Sequence, residues 1–177
     1  APAAAPAAAP QTSADAQGPK VIERRYPNGK IRERAEVVLD KDGAPVWHGK
    51  RVRFHPNDKP AEEITFANGF KDGPWTSWYS SGVKSAEGSY KVGMKDGAET
   101  RYLHGGRKYI ETTYKAGIRH GPQTHWYNND VKSRVATFEQ GRLHGELSEW
   151  YGNGKPKLVE HYRQGQRHGM STRWYDN

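Results

Sequence analysis

From about residue 50 to residue 175, short runs in which apolar and polar side chains alternate are broken by glycine, asparagine or serine, and the breaks fall on a fixed period. Gly49, Gly73, Gly97, Gly121, Gly145 and Gly169 are each 24 residues apart. Four positions before the glycine of each unit stands another, at Gly69, Gly93, Gly117, Gly141 and Gly165, with Pro45 as the exception. An aromatic follows each member of the first series by five positions: Phe54, Trp78, Tyr102, Trp126, Trp150 and Trp174. A second aromatic column runs through Phe66, Tyr90, Tyr114, Phe138 and Tyr162. Four columns in one register are the mark of a stacked repeat architecture, which fixed periods of ~20–50 residues signal.

Within one unit the pattern predicts a β-hairpin. In Pro74-Trp75-Thr76-Ser77-Trp78-Tyr79 a hydroxyl residue stands two positions before the aromatic, and Thr100, Thr124, Ser148 and Thr172 repeat it. A spacing of two puts both side chains on one face of a strand. The run then meets Ser80-Ser81-Gly82, His104-Gly105-Gly106, Asn128-Asn129-Asp130 or Gly152-Asn153-Gly154, residues that accept the positive φ of a tight turn. A return strand follows and ends at the second aromatic column, and the next connection carries the Gly-x-x-x-Gly pair. One hairpin cannot offset the backbone entropy of ordering its residues by burying two aromatics. Stacked hairpins share strand hydrogen bonds, each adding two strands or ~10 Å, and the aromatic columns are expected to form one continuous dry spine along the sheet.

The fold class expected is therefore all-β, an elongated single-layer antiparallel sheet of stacked hairpins. Residues 49–177 form the regular repeats. Residues 20–48 form an irregular capping hairpin, because Tyr26-Pro27-Asn28-Gly29-Lys30 echoes Tyr151-Gly152-Asn153-Gly154-Lys155 while about five extra residues within Val38–Pro45 imply a wider loop. At the other end Tyr175-Asp176-Asn177 follows a predicted first strand before a return strand could pair with it, which leaves an open edge.

Residues 1–19 change the picture at the N-terminus. Alternating Ala and Pro cannot bury a core and hold the backbone extended, so this segment reads as a semi-rigid tether without a fold of its own. The first residue is not Met, which suits a mature protein cut after a small residue, and the expected location is exported, periplasmic or cell-envelope, with the cytoplasm as the alternative. The chain has no cysteine, so disulfide staples and thiolate chemistry are absent. Only 33% of it is hydrophobic and its mean hydropathy is -1.06, so a thick core is not expected. The apolar content is concentrated in 6 Trp, 10 Tyr and 4 Phe, which suits a thin structure. The only charged residue of the tether is Asp15, so of the chain's formal +8 the remainder carries 28 basic against 19 acidic side chains, or +9, which favours acidic partners.

The repeat columns resemble the MORN repeat, in the bacterial variant found in antitoxins of the YwqK type, whose unit reads roughly Y-x-x-G-x-x-x-G-x-W-x-x-W-Y-x-N-G-K. The first full unit matches through Gly69, Gly73, Trp75, Trp78, Tyr79 and Gly82, with Phe66 where the pattern has tyrosine. Later units match through Tyr114, Gly117, Gly121, Trp126 and Tyr127, and through Trp150, Tyr151, Asn153, Gly154 and Lys155. The similarity covers about residues 21–177. It implies a β-hairpin ribbon serving in recognition, with some bacterial members acting as toxin-neutralising proteins and related eukaryotic repeats associated with membrane lipids and scaffolding. Because the matching residues are the scaffold, the resemblance speaks for fold more than for function.

No residue pattern singles out catalytic or cofactor chemistry, and a carboxylate pair among the 20 acids is left open by sequence alone. His48, His120, His144 and His168 share a column with Asp72 and Asp96, but neighbours in a column stand ~10 Å apart, whereas zinc needs ligands within ~2.0–2.2 Å. They read as turn-stabilising residues. The hydroxyls belong to the repeated column, and neither a phosphate-binding G-x-x-x-x-G-K-[ST] loop nor an H-E-x-x-H motif is present. The expectation is a non-enzymatic protein with no cofactor and no metal.

Two surfaces are the candidates for partner binding. In the Gly-x-x-x-Gly connections Phe70-Lys71, Met94-Lys95 and Ile118-Arg119 each place an apolar residue beside a cation, and stacking aligns them along one rim. The competing reading is that the apolar residue closes the ribbon's end while the cation is solvated. The second candidate is a face bearing Tyr79, Tyr127, Tyr151 and Tyr175 with Arg101, His125 and Arg173, since Tyr and Arg are enriched in interfaces; here the competing reading is that these side chains only shield the strands. The partner expected is a protein with an acidic surface, such as a toxin or secreted effector, with an envelope scaffold or anionic-lipid adaptor as the alternative. Nucleic acid ranks third, because Glu62, Glu63, Glu87, Glu111, Glu146 and Glu149 interrupt a continuous basic track.

Overall fold

A computed structural model describes residues 18–127 and 130–176. All but the last two residues of the expected tether, and Asn128-Asn129 of one predicted turn, lie outside the described residues. The chain runs as successive antiparallel hairpins: β1 (Lys20–Arg25), β2 (Ile31–Leu39), β3 (Pro45–Phe54), β4 (Pro60–Ala67), β5 (Phe70–Trp78) and β6 (Lys84–Lys91). After the short β7 (Met94–Lys95) come β8 (Gly97–Tyr102), β9 (Lys108–Lys115), β10 (Ile118–Trp126), β11 (Lys132–Glu139), β12 (Arg142–Trp150) and β13 (Pro156–Arg163). The last unit supplies β14 (Gln166–Arg167) and β15 (Thr172–Arg173). They form one 15-stranded sheet in which each strand pairs with its neighbour in sequence, β7 pairing with β6 and both β14 and β15 with β13. The predicted all-β, single-layer ribbon of hairpins is thus the observed fold.

The two edges of the ribbon use different turns. On one, Gly82 N donates to Tyr79 O and Tyr79 N to Val83 O, each at 2.8 Å, and the chain passes through a left-handed residue at Gly29, Asp58, Gly82, Gly106, Asp130 or Gly154. This is a type I turn closed by a bulge. On the other, from the β4–β5 hairpin onward, two residues with positive φ close each turn, as in Asn68-Gly69 and Val92-Gly93, the type I′ geometry whose twist matches the strands. The wider loop expected near Val38–Pro45 is Asp40–Ala44, where the Asp40 carboxylate accepts from the amides of Asp42 and Ala44.

The glycines of the 24-residue series mark a kink. At Gly73 the register slips, since Ile64 pairs with Trp75 but Phe66 with Lys71, four residues against two. Gly73 adopts φ 106°, which side chains disfavour. Across the other edge of the strand Gly73 faces Tyr90, and the relation repeats at Gly49 with Phe66, Gly97 with Tyr114, Gly121 with Phe138 and Gly145 with Tyr162. The glycine column and the second aromatic column are neighbours in space, so each ring stands beside a residue without a side chain.

The single dry aromatic spine does not form. Trp75 shares a face with Ile64 and hence with Phe66, and Trp78, three residues on, points to the opposite face, so the two aromatic columns occupy opposite sides of the sheet. Within a column, rings two strand spacings or ~9.6 Å apart exceed the ~4.5–7 Å of aromatic contact. Cations fill the intervals. Lys71 lies 4.8 Å from the Tyr90 ring centre, Lys95 5.0 Å from Tyr114 and Arg119 4.1 Å from Phe138. On the other face Lys84 lies 5.8 Å from Tyr102 and Lys108 5.0 Å from Trp126.

The face of the second column is also where the core lies. Ala35, Val37, Ile64 and Phe66 are buried toward one end, and Ala136, Phe138, Leu147 and Leu158 cluster toward the other with Leu143 and Tyr162 packed against them. Ile64 reaches 1% exposure without a second layer, because long neighbours cover this face. Arg51 lies over both Trp47 and Phe66, at 5.6 and 5.2 Å, and those rings are 5.9 Å apart. Buried methyl and ring surface here supplies the hydrophobic stabilisation that an isolated hairpin lacks.

Candidate functional site

At the edge closed by the two-residue turns, each turn is stitched to the unit before it. Gly69 N donates to Trp47 O, Gly93 N to Lys71 O, Gly117 N to Lys95 O, Gly141 N to Arg119 O and Gly165 N to Leu143 O, all within 2.8–2.9 Å. The column of Asp and His residues contributes to the same stitching. Asp72 Oδ2 accepts from Val92 N at 3.3 Å and Asp96 Oδ2 from Ala116 N at 3.2 Å, so these carboxylates stabilise turns as their position predicts.

The stitching sets out a ridge of side chains. Phe70, Met94 and Ile118 are 57%, 48% and 52% exposed. Each leans over the glycine of the following turn: a Cβ on Gly93 would stand 3.6 Å from Phe70 Cδ1, one on Gly117 3.7 Å from Met94 Cβ, and one on Gly141 3.4 Å from Ile118 Cγ2. Val46 and Arg142 occupy the equivalent places over Gly69 and Gly165. The ridge therefore runs Val46, Phe70, Met94, Ile118, Arg142, apolar until its last member. Val92, 54% exposed in the turn before Met94, widens it.

The cations beside these residues point the other way. Lys71, Lys95 and Arg119 lie across the rings of Tyr90, Tyr114 and Phe138, and Lys95 also pairs with Glu99. The expected rim is thereby split, with its apolar half exposed along the edge and its basic half laid over the aromatic face. The register of the columns carries this signal, since each cation stands directly across from one aromatic, as Lys71 does from Phe66 and Arg119 from Tyr114.

The tyrosines of the second candidate surface serve as ties between units. Tyr79 OH donates to Tyr102 O at 2.7 Å, Tyr127 OH to Trp150 O at 3.0 Å and Tyr151 OH to Trp174 O at 2.8 Å; Tyr26 does the same to Phe54 O, and His55 Nε2 meets Trp78 O. Tyr175, in the last unit, is 77% exposed. Arg101, His125 and Arg173 belong to one cross-strand row, with Ile110 between the first two and Leu158 beside Arg173. Arg101 donates to the buried Glu99 at 2.7 Å. Burial, then the charge of Arg134, pulls the His125 imidazole below its ordinary value, so it is neutral at pH 7.

Most acids predicted to interrupt a basic track are paired with bases: Lys50 with Glu63 and Arg51 with Glu62, at 2.8 and 2.9 Å, Lys84 with Glu87 and Lys108 with Glu111, at 2.6 and 2.9 Å. What sequence reasoning missed is a place where, among the described residues, two bases, Arg119 and Arg142, stand without an acid and a third, Arg134, has one only at 3.9 Å. Around Phe138 an open depression of about 500 Å³ is lined by Arg119, Arg134 and Arg142 together with Gln123, Leu143 and Gln166.

The edge thus combines a long exposed ridge, a basic depression at one end of it and ordinary turns between. No curated protein matches the chain. The family profile of the MORN repeat variant matches residues 47–68, 71–91 and 143–164, so at these three places the chain carries repeats of a kind that generally binds proteins or membrane lipids.

Proposed function

We propose that this protein is a non-enzymatic binding ribbon that docks an acidic protein along its two-residue-turn edge, and that it serves as an antitoxin or immunity-type protein of the bacterial envelope. In that role it neutralises a toxin or secreted effector by covering its functional surface. The observation that carries the reading is the ridge of Phe70, Met94 and Ile118, large apolar side chains that stay half exposed in a chain of low hydropathy. A contiguous exposed apolar strip rimmed by polar residues marks an interaction site. The +8 charge supplies steering toward an acidic partner. Export and the antitoxin role rest on the Ala/Pro N-terminus and on the resemblance to that family.

The test is affinity capture from native cells with the wild-type chain and with Phe70→Ser, Met94→Ser and Ile118→Ser combined. The wild type is expected to recover one stoichiometric acidic protein and the triple variant to lose it while its circular dichroism is unchanged. Equal capture by a folded triple variant removes the ridge from the site. Retention of the wild type only on vesicles of phosphatidylcholine and phosphatidylglycerol, with no protein recovered, replaces the reading with that of an anionic-lipid adaptor.

A further inference from the structure

The arginines around Phe138 depart from the arrangement of the unit before. In the unit before, Lys95 is paired with Glu99, and Arg101 donates to the same carboxylate. One period on, Lys95 becomes Arg119 and Glu99 becomes Gln123, so the cation remains and its acid is gone. Gln123 instead donates to Thr112 Oγ1. The position of Arg134 is held by Glu62, Ala86, Ile110 and Leu158 in the other units, so this base is an addition. Its Nε is buried and has no hydrogen-bond partner, and Glu149 Oε1 is 3.9 Å away. Among the described residues Arg119 and Arg142 have no carboxylate partner. Arg119 Cζ stands over the Phe138 ring at 4.1 Å, and its guanidinium offers donors in the fork geometry that carboxylates match.

We propose that this depression binds a carboxylate side chain of an extended acidic peptide segment in the partner. The inference rests on the protein-docking reading above and adds the motif it recognises. Ile118, the last apolar member of the ridge, and Arg142, the next member, are one repeat apart, two strand spacings or ~9.6 Å. A peptide in the extended polyproline II conformation advances ~3.1 Å per residue and repeats its facing every three residues, so a segment lying along the edge presents an apolar residue to Ile118 and, three residues later on the same side, an acid to Arg142 and Arg119. The recognised pattern is apolar-x-x-acidic.

The probe is a fluorescein-labelled peptide in which Leu-Ser-Ser-Glu is repeated, compared with the same peptide carrying Gln for Glu, and binding is read by fluorescence anisotropy with the full chain. Binding of the Glu peptide alone is expected, weakened ~10-fold or more by Arg142→Gln and further by Arg119→Gln with Arg142→Gln, as loss of charge-assisted hydrogen bonds implies. Arg32→Gln with Lys41→Gln removes the same charge from the first hairpins and is expected to leave affinity within ~2-fold. Because Arg119 also covers Phe138, the single Arg142 variant keeps the test valid if the double variant unfolds. Amide shifts of Gln123, Gly141 and Gln166 on peptide addition locate the contact. Equal loss in the control pair, unchanged binding in Arg142→Gln, or binding of inorganic phosphate or phosphatidylglycerol vesicles without the peptide overturns the proposal. Phe70→Ser with Met94→Ser separates the two readings: if these substitutions spare native-partner capture while Arg142→Gln abolishes peptide binding, the ridge fails and the arginine site stands.

Discussion

Trp75 lies against Gly88 on the adjacent strand, so closely that a Cβ on Gly88 would stand 2.9 Å from the indole Nε1 and 3.2 Å from the carbonyl oxygen of Ala98. The other units place Ile64, Thr112, Ala136 or Glu160 where this one has Gly88, and none of them has a tryptophan at the position of Trp75. The large ring and the missing side chain form one packing unit. Replacing Gly88 with Ala is expected to destabilise the fold by ~1–3 kcal/mol, the usual range for overpacking. In a Trp75→Leu background the same replacement should cost much less. Urea denaturation of the four members of this cycle checks it, and additive effects would show that the two residues are not coupled.

Val92 stands in a two-residue turn at φ 47°, a left-handed backbone that a β-branched side chain disfavours. The equivalent residue two strands earlier is Asn68 at φ 49°, and Asn is among the residues that tolerate this geometry. Val92→Asn should therefore stabilise the protein by ~1 kcal/mol. The Asp72 carboxylate that accepts from the Val92 amide stays in place. A lower urea midpoint would contradict this.

Tyr102 donates to Glu87 on the hydroxyl-bearing face, and burial together with that carboxylate pushes its phenol up to about 12. A phenol whose folded value is raised contributes stability that is fully present below its unfolded value near 10 and is lost as pH rises through about 12. The wild type should lose stability across that alkaline window. Tyr102→Phe should be less stable at neutral pH and flatter between pH 10 and 12, as thermal melts in that range will show.

Glu99 behaves in the opposite sense. Burial raises its carboxyl, but hydrogen bonds from Lys95 and Arg101 and their charges outweigh this and hold it below the usual 4.5. Its contribution is present above that value and is lost as pH falls through the lower folded one. Glu99→Gln should weaken the fold at pH 7, where two bases lose their acid, and should shrink the further loss in acid. An identical acid profile for wild type and variant would remove Glu99 from the account.

The tyrosine ties predict a graded effect. Removing the hydroxyl of Tyr79, Tyr127 or Tyr151 deletes one hydrogen bond to the carbonyl of the next unit, and Phe at each should cost about 1 kcal/mol. Tyr175, which stands 77% exposed, should tolerate the same change with no effect. Comparable losses at all four sites would refute the assignment.

The sequence by itself determined the hairpin, its 24-residue length, the turn at each end and the order in which strands pair, because each follows from local spacing: alternation by two, glycine where φ is positive, and a period that repeats without interruption. It also marked Phe70, Met94 and Ile118 as a rim. Tertiary structure decided which side of the sheet each column takes, since a single register slip at Gly73 sets how Lys71 meets Phe66 and Tyr90. It turned the expected aromatic spine into alternating rings and cations, because two strand spacings separate like residues by more than ring contact allows. And it brought Arg119, Arg134 and Arg142 around Phe138, a grouping invisible in any one repeat, since the three come from three different strands and meet only through cross-strand packing.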